Sequence, residues 1–184
     1  INSKDDNYRL SLNKLKETLN KVDTLIVISP DNPSGSHLKY GEVIELLDMA
    51  KEMHKQIIFD ESFIDFANDS YTLINDDILK KYPNLIVIKS ISKSYGVPGL
   101  RLGVLASGNY EYLDIINRNM PVWNINSFAE YFLQIFLIYK KDYVYGCSKI
   151  KEERNRFYNE LIKINELDVY DSEANYFMIK LNKS

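Results

Sequence analysis

The sequence is poor in the residues that staple small secreted or metal-dependent domains. Its 184 residues include one cysteine, Cys147, so there is no disulfide framework and no cysteine-based metal knuckle. The two histidines, His37 and His54, stand far from each other and from Cys147, which removes a zinc site from consideration. No run of 18 apolar residues exists, so no membrane-spanning helix is expected. The formal net charge is -3 and no run of Lys and Arg stands out, which argues against a nucleic-acid or anionic-membrane surface. Repeats, low-complexity tracts and linkers rich in Gly, Ser or Pro are missing too. A lone cysteine reads as a packing residue and suits a reducing cytoplasm. The first residue is Ile1 rather than Met, and a polar helix-like stretch follows instead of a signal peptide, so the chain is expected to begin inside a larger protein.

What is present is a globular composition, 45% apolar, enough to bury a core. Short β-branched runs alternate with longer amphipathic ones. Thr24 to Ser29, Gln56 to Phe59, Leu85 to Ile88 and Leu102 to Ala106 read as strands, too apolar for a wet face and so expected to be buried on both sides. Tyr40 to Lys55 repeats apolar residues at helical spacing, completing a βαβ unit, and Ile74 to Lys81 reads as a shorter crossover ended by Tyr82-Pro83-Asn84. This pattern predicts an α/β fold, three-layer αβα around a mostly parallel sheet. After Gly108, helices are predicted over Tyr110 to Asn119, Ser127 to Tyr139 and Tyr145 to Leu167, with strand character returning only at Tyr176 to Leu181. The expected division is an incomplete large domain over residues 1–145 and the start of a small α+β domain over 146–184.

Open parallel sheets hold ligands beyond the C-terminal strand ends. There the chain places Asn32 in the turn Pro30 to Gly35, then Asp60-Glu61, then Lys89, Ser90, Ser92 and Lys93. A lysine beyond a buried strand, in a partly desolvated crevice, can attack a carbonyl and form a Schiff base, and an aldehyde cofactor would use it. Ser90 and Ser92, with Arg101 eight residues past the lysine, can hold a phosphate dianion by charge-assisted bonds. Asp60 suits a protonated ring nitrogen, keeping a pyridinium able to accept electrons, and Asn32 can donate to a ring oxygen. Gly96, Gly99 and Gly103 let the return chain turn tightly, in a spacing that matches neither a dinucleotide fingerprint nor a P-loop.

Ser-x-Ser-Lys followed by Gly-x-x-Gly-Leu-Arg-Leu-Gly, with Asn-Pro-x-Gly before it and Asp-Glu between, resembles the fold-type I pyridoxal-phosphate enzymes of aminotransferase class I/II. Within them it is most similar to the histidinol-phosphate aminotransferase group. Spacings of 28 residues from Asn32 to Asp60 and 33 from Asp60 to Lys93 fit that pattern. Met120 to Asn126 and Ala174 to Phe177 also look like segments of this group, so the resemblance covers nearly the whole chain.

The resemblance implies pyridoxal 5'-phosphate as cofactor. Lys93 would form the Schiff base and shuttle a proton, Asp60 would pair with the ring nitrogen, Asn32 would bond the ring hydroxyl oxygen, and Ser90, Ser92 and Arg101 would bind the phosphate. It also implies a homodimer acting on a small-molecule amino donor and a 2-oxo acid acceptor. Three residues past the aspartate the family often has a tyrosine, where this chain has Phe63; the threonine-phosphate decarboxylases of cobalamin synthesis, a branch of the same group, are similar in having phenylalanine there. The alternatives to amino transfer are therefore decarboxylation at the same site, or a catalytically silent fragment, because the upstream phosphate-binding helix, the ring-stacking aromatic and the carboxylate-holding arginine of such enzymes are not assignable here.

Trp123, in a loop entering a helix, is a candidate substrate contact, together with Asn126 and Asn175. His54 suits the negative end of the first crossover helix. His37 reads as loop surface, Tyr131, Tyr139 and Tyr158 as core or rim residues, and Arg154 and Arg156 as solvated helix charges, one of which the resemblance allows to meet a substrate phosphate.

Overall fold

The computed structural model describes residues 7–182, so Ile1, Lys183 and Ser184 lie outside the described residues. In chain order the elements are α1 (Leu12–Leu19), β1 (Thr24–Ile28), α2 (Tyr40–Glu52), β2 (Gln56–Asp60), α3 (Asp76–Lys81), β3 (Leu85–Ser90), α4 (Ile91–Ser94), β4 (Gly103–Ser107), α5 (Tyr110–Asn119), α6 (Ser127–Ile135), α7 (Lys140–Leu161), β5 (Leu167–Val169) and β6 (Ile179–Leu181). Short 3₁₀ turns cover Ile64–Phe66, Pro98–Leu100 and Phe136–Tyr139.

β1, β2 and β3 pair in parallel and β4 closes the sheet antiparallel, in the order β1-β2-β3-β4. This is the mostly parallel sheet of a three-layer αβα fold. The parallel part follows from the crossovers: α2 returns the chain so that β2 starts beside β1, and the longer link through α3 does the same for β3. One face of α2, Val43, Leu46, Leu47 and Ala50, is fully buried. It packs with Leu15 and Leu19 of α1 onto Leu25, Val27, Ile57, Phe59 and Val87 of the sheet. Helix ends are set by local polar residues. Asn75, Asn109 and Asn126 each accept backbone N–H bonds at the starts of α3, α5 and α6, and Glu42 reaches back to the Lys39 amide at α2.

Three expectations are corrected. The strands are not buried on both faces: Leu25 is 4% exposed but its neighbour Ile26 is 62%, and Ile88 is 37%. Helices cover the face that carries Leu25, Val27, Ile57, Phe59 and Val87, while the other face lacks a full cover at Ile26, Ile88 and Leu105 among the described residues. The helix expected over Ser127 to Tyr139 stops at Ile135 and tightens into a 3₁₀ turn, from which α7 starts, five residues before the expected Tyr145. That helix ends at Leu161, and Leu167 begins a strand because β6 pairs with it, tied by Lys180 and Asn182 to Asp168.

α7 docks on the turn after β2 through a second apolar cluster of Phe63, Phe66, Cys147 and Ala174, lined by Tyr143, Ile150 and Tyr176. Cys147 is a buried free thiol whose pKa burial pushes up.

Candidate active site

Ile28, Asp60 and Ile88 stand in one register across the three parallel strands. The chain beyond β1, the end of β2 and the chain beyond β3 therefore emerge together at the C-terminal edge of the sheet, where such sheets hold ligands.

Asn32 leaves this edge on an exposed turn. The turn is closed by Gly35 N–H donating to Asp31 O at 2.7 Å and by Asp31 N–H donating to Ser36 O at 2.8 Å. Gly35 has φ +71°, and a Cβ there would stand 2.0 Å from Ser172 Oγ, so only glycine lets the turn seat against that loop. Tyr176 fastens it further, its hydroxyl donating to Asp31 O at 2.9 Å.

Asp60 ends β2 with Oδ1 accepting from Ser62 N–H at 2.9 Å. Ser62 is buried, and its Oγ accepts from Ser90 N–H at 2.8 Å. One small side chain thus ties the acidic end of β2 to the hydroxyl-bearing end of β3. Sequence reading gave Ser62 no role, since nothing in DESFIDF marks which of its residues bridges two strands.

Lys93 lies in α4, its Nζ 4.6 Å from the centre of the Phe63 ring. Phe63 is buried and meets Tyr176 edge-on, with centroids 5.1 Å apart and planes at 90°. Lys93, Phe63, Tyr176 and Asp31 therefore form a continuous chain of contacts from the amine to the Asn32 turn. The expected desolvated crevice is corrected: Lys93 is exposed, because the described residues leave this edge open on one side. Among the described residues it has no carboxylate partner.

Of the three phosphate candidates, Ser90 sits half-buried at the end of β3. Ser92 is buried, its Oγ accepting from Leu102 N–H at 3.1 Å and donating to Leu102 O at 3.2 Å. Arg101 is exposed, with one contact of 3.4 Å from Nη1 to Pro98 O. Its φ of +57° is unusual for a residue with a side chain. The neighbouring Leu102 fixes it, since the Leu102 carbonyl accepts from both Ile91 and Ser92 amides.

Behind this edge lies a buried charge group. Lys89 Nζ stands 2.8 Å from Asp65 Oδ2 and 3.9 Å from Glu61 Oε1. Glu61 accepts from Thr72 Oγ1 at 2.6 Å and from Leu73 N–H at 2.8 Å. Burial pushes the Glu61 carboxyl above its ordinary range, against these bonds and the Lys89 charge.

The remaining candidates divide. Asn126 bridges: its Oδ1 caps α6 at Ala129 N–H, and its Nδ2 donates to Leu100 O at 2.9 Å, beside Arg101. Asn175 lines a cavity of 720 Å³ with Tyr176, Phe177 and Arg154. Trp123 is 92% exposed, beside Val122 at 92%, so no described residue packs over that loop. Arg156 is a solvated charge paired with Glu153. Arg154 is not: its side chain is 4% exposed. Nη1 donates to Phe66 O at 2.7 Å and Ala174 O at 3.3 Å, and Nη2 to Glu173 Oε2 at 3.1 Å, which joins α7 to the turn after β2.

His37 is also corrected, its side chain being 3% exposed. It is stacked on Tyr71, with Nδ1 3.0 Å from Ser29 Oγ and Nε2 3.1 Å from Asp69 Oδ1. His54 follows the end of α2 at φ +54°. Among the described residues no group of three His, Cys, Asp or Glu side chains is arranged for a metal, and no helix is long and apolar enough to cross a membrane.

The donor set suits pyridoxal phosphate: an amine without a carboxylate partner, a carboxylate with one oxygen free of partners among the described residues, a carboxamide and two hydroxyls from three adjacent strand ends, and a guanidinium from the chain entering β4. The model of the family "Aminotransferase class I and II" matches residues 1–184. The chain is 34% identical over 191 residues to an L-serine phosphate decarboxylase of Campylobacter jejuni, covering 97% of this chain and 47% of that protein. It is 32% identical over 177 residues to a histidinol-phosphate aminotransferase of Clostridium novyi, covering 95% and 48%. The crystal structure of the histidinol-phosphate aminotransferase from Clostridium acetobutylicum superposes with a TM-score of 0.85 at 31% identity, over 97% of this chain and 54% of that one. The chain spans about half the length of the relatives it matches. By the family match over its whole length, this chain belongs to the class I and II aminotransferases.

Proposed function

We propose that the full-length protein is a pyridoxal-phosphate enzyme that works at the α-carbon of an amino acid or a phosphorylated amino acid, with Lys93 as its reactive amine. One observation carries this: three adjacent parallel strand ends deliver Asn32, Asp60 and Lys93 to one edge, with the Lys93 amine on the ring of a residue three past Asp60. Pyridoxal phosphate, when bound, supplies an aldehyde carbon for an amine and a ring that takes up the electron pair of a bond broken at the α-carbon. Asp60 holds a proton on the ring nitrogen, fixed for that by Ser62. Asn32 donates to the ring hydroxyl oxygen. Ser90 and Arg101 bind the phosphate, and Ser92 joins them by turning its proton from the long bond to Leu102 O while still accepting from Leu102 N–H. Lys93 Nζ would hold the cofactor through its aldehyde carbon until the substrate's amine displaces it, and the freed amine would then move a proton at the substrate α-carbon. Asn126, Asn175 and Trp123 face the substrate.

Amino transfer between an amino donor and a 2-oxo acid acceptor is the first reading. Decarboxylation of a phosphorylated amino acid at the same site is the second, favoured by Phe63, which offers no hydroxyl where the family often has tyrosine. The working state is a homodimer. The exposed apolar residues Val122, Trp123, Phe128, Leu137 and Ile138, at 74% to 92% exposure, support it as surface that a partner subunit would cover. A cytoplasmic location accords with the single reduced cysteine.

The test is titration of the full-length protein with pyridoxal phosphate. A near-visible absorbance band is expected, with borohydride fixing the cofactor to Lys93. An unlabelled Lys93, or a Lys93→Ala variant that keeps the band, would sink the proposal.

A further inference from the structure

The pairing of β2 with β3 runs one step past the last residue of β2, and a side chain supplies that step. Ile57 N–H donates to Asn84 O at 3.1 Å and Glu61 N–H to Ile88 O at 2.9 Å, which sets the alternation of this parallel ladder. Continued in that alternation, the Ser90 N–H would fall to the Glu61 carbonyl. That carbonyl is turned away into the tight turn after β2, where it accepts from Ile64 N–H at 3.1 Å. Ser62 Oγ takes its place, accepting from Ser90 N–H at 2.8 Å. Ser62 is buried, and a buried N–H left without an acceptor is costly.

This bond sorts the donors of Ser90. Its amide is spent on Ser62 and withdrawn from any ligand at the strand end. Its hydroxyl is not spent, since Ser90 stands at the N-cap of α4 without a side-chain bond to that helix. Holding the amide therefore fixes the backbone at the last residue of β3 and leaves the hydroxyl to a phosphate oxygen. Without Ser62 Oγ the amide would turn toward water at the open edge, and a ligand would have to order it again. Ser62 acts on Asp60 through a different group, its backbone N–H donating to Oδ1 at 2.9 Å. The two ends of the ligand edge are thus separable, with the Ser62 side chain serving Ser90 and its main chain serving Asp60.

We infer that Ser62 is a positioning residue for the cofactor's phosphate: its hydroxyl oxygen holds the Ser90 backbone so that the Ser90 hydroxyl meets the phosphate, which Ser62 itself does not touch. This rests on the pyridoxal-phosphate reading above and assigns how the phosphate end of that site is built.

Two measurements on the full-length protein test it. In the first, cofactor-free wild type is followed by hydrogen exchange resolved at single amides. Ser90 N–H is expected to be protected like Glu61 N–H, the last backbone rung of the ladder. Exchange as fast as at an exposed turn overturns the inference, and no variant has to fold for that. In the second, Ser62→Ala removes the acceptor and keeps the amide that holds Asp60. Its affinity for pyridoxal phosphate is expected to fall roughly five- to thirtyfold, the cost of ordering one residue's backbone again on binding. The ³¹P signal of the bound cofactor is expected to move from its wild-type position. A loss of affinity with an unmoved phosphorus signal is what a merely structural Ser62 would give, and it overturns the inference, as does an unchanged affinity. A wild type that binds no pyridoxal phosphate takes the cofactor reading down as well, and the Ser90 exchange result, which needs no cofactor, tells the two failures apart.

Discussion

Replacing Arg154 with methionine tests whether a guanidinium buried in α7 holds this half of the molecule to the turn after β2. Methionine keeps most of the apolar stem and removes only the donors. Two backbone carbonyls, Phe66 O and Ala174 O, lose their charged donor, and Glu173 loses its ion-pair partner. Removing one member of a buried pair typically costs about 3–5 kcal/mol. Here Glu173 is 31% exposed and keeps two bonds from Asn68, at 2.7 Å from the amide and 3.0 Å from Nδ2, so its charge is not stranded. The loss is then mainly that of two buried carbonyls, and about 2–3 kcal/mol is expected. Arg156, two residues on, is the internal control: it is exposed and paired within its own helix, so Arg156→Met should leave the unfolding midpoint essentially where it is. The assay is urea unfolding of the full-length protein and both variants, read as midpoint shifts at unchanged slope. Equal midpoints for the two variants would refute the reasoning, because they would mean that burial and the carbonyl partners contribute nothing beyond a surface charge.

Two further outcomes follow from the buried charges. Lys89→Met leaves Glu61, whose side chain is 0% exposed, facing Asp65 without a cation, at a cost of about 3 kcal/mol or more at neutral pH. Because burial already raises Glu61, its folded form holds a proton more readily than the unfolded chain, so the deficit should shrink as pH falls toward the ordinary value of 4.5; a deficit that stays constant with pH refutes this. His37 is shifted the other way: burial lowers it below 6.5, outweighing Asp69, Glu173 and Glu42. The stability it gives is present above 6.5 and lost as pH falls through the lowered folded value, so His37→Gln should flatten the acid limb of a midpoint-against-pH curve, and superimposable limbs would exclude the assignment.

Where the chain's own local chemistry decides, the sequence reading and the structure coincide. TLIVI, QIIF and LIVI become strands because β-branched runs of that length have one good conformation. The polar residues that follow them reach one edge because parallel pairing puts all three C-terminal ends on the same side. Hence the order of Asn32, Asp60, Ser90, Ser92, Lys93 and Arg101 along the chain was enough to bring these residues to one edge of the sheet.

What the chain could not announce is which polar groups lose their water. Arg154 looks like any charge on an amphipathic helix until the Phe66 carbonyl, 88 residues away in sequence, comes to meet it. His37 becomes an interior group only because Ser29, Tyr71 and Asp69 close around it. β5 exists because β6 lies beside it, and Ser62 joins two strand ends only once they are neighbours. Backbone preference and strand-end chemistry are properties of a few consecutive residues and are written in their order; desolvation and hydrogen-bond partnership belong to pairs brought together from afar, and only the folded chain decides them.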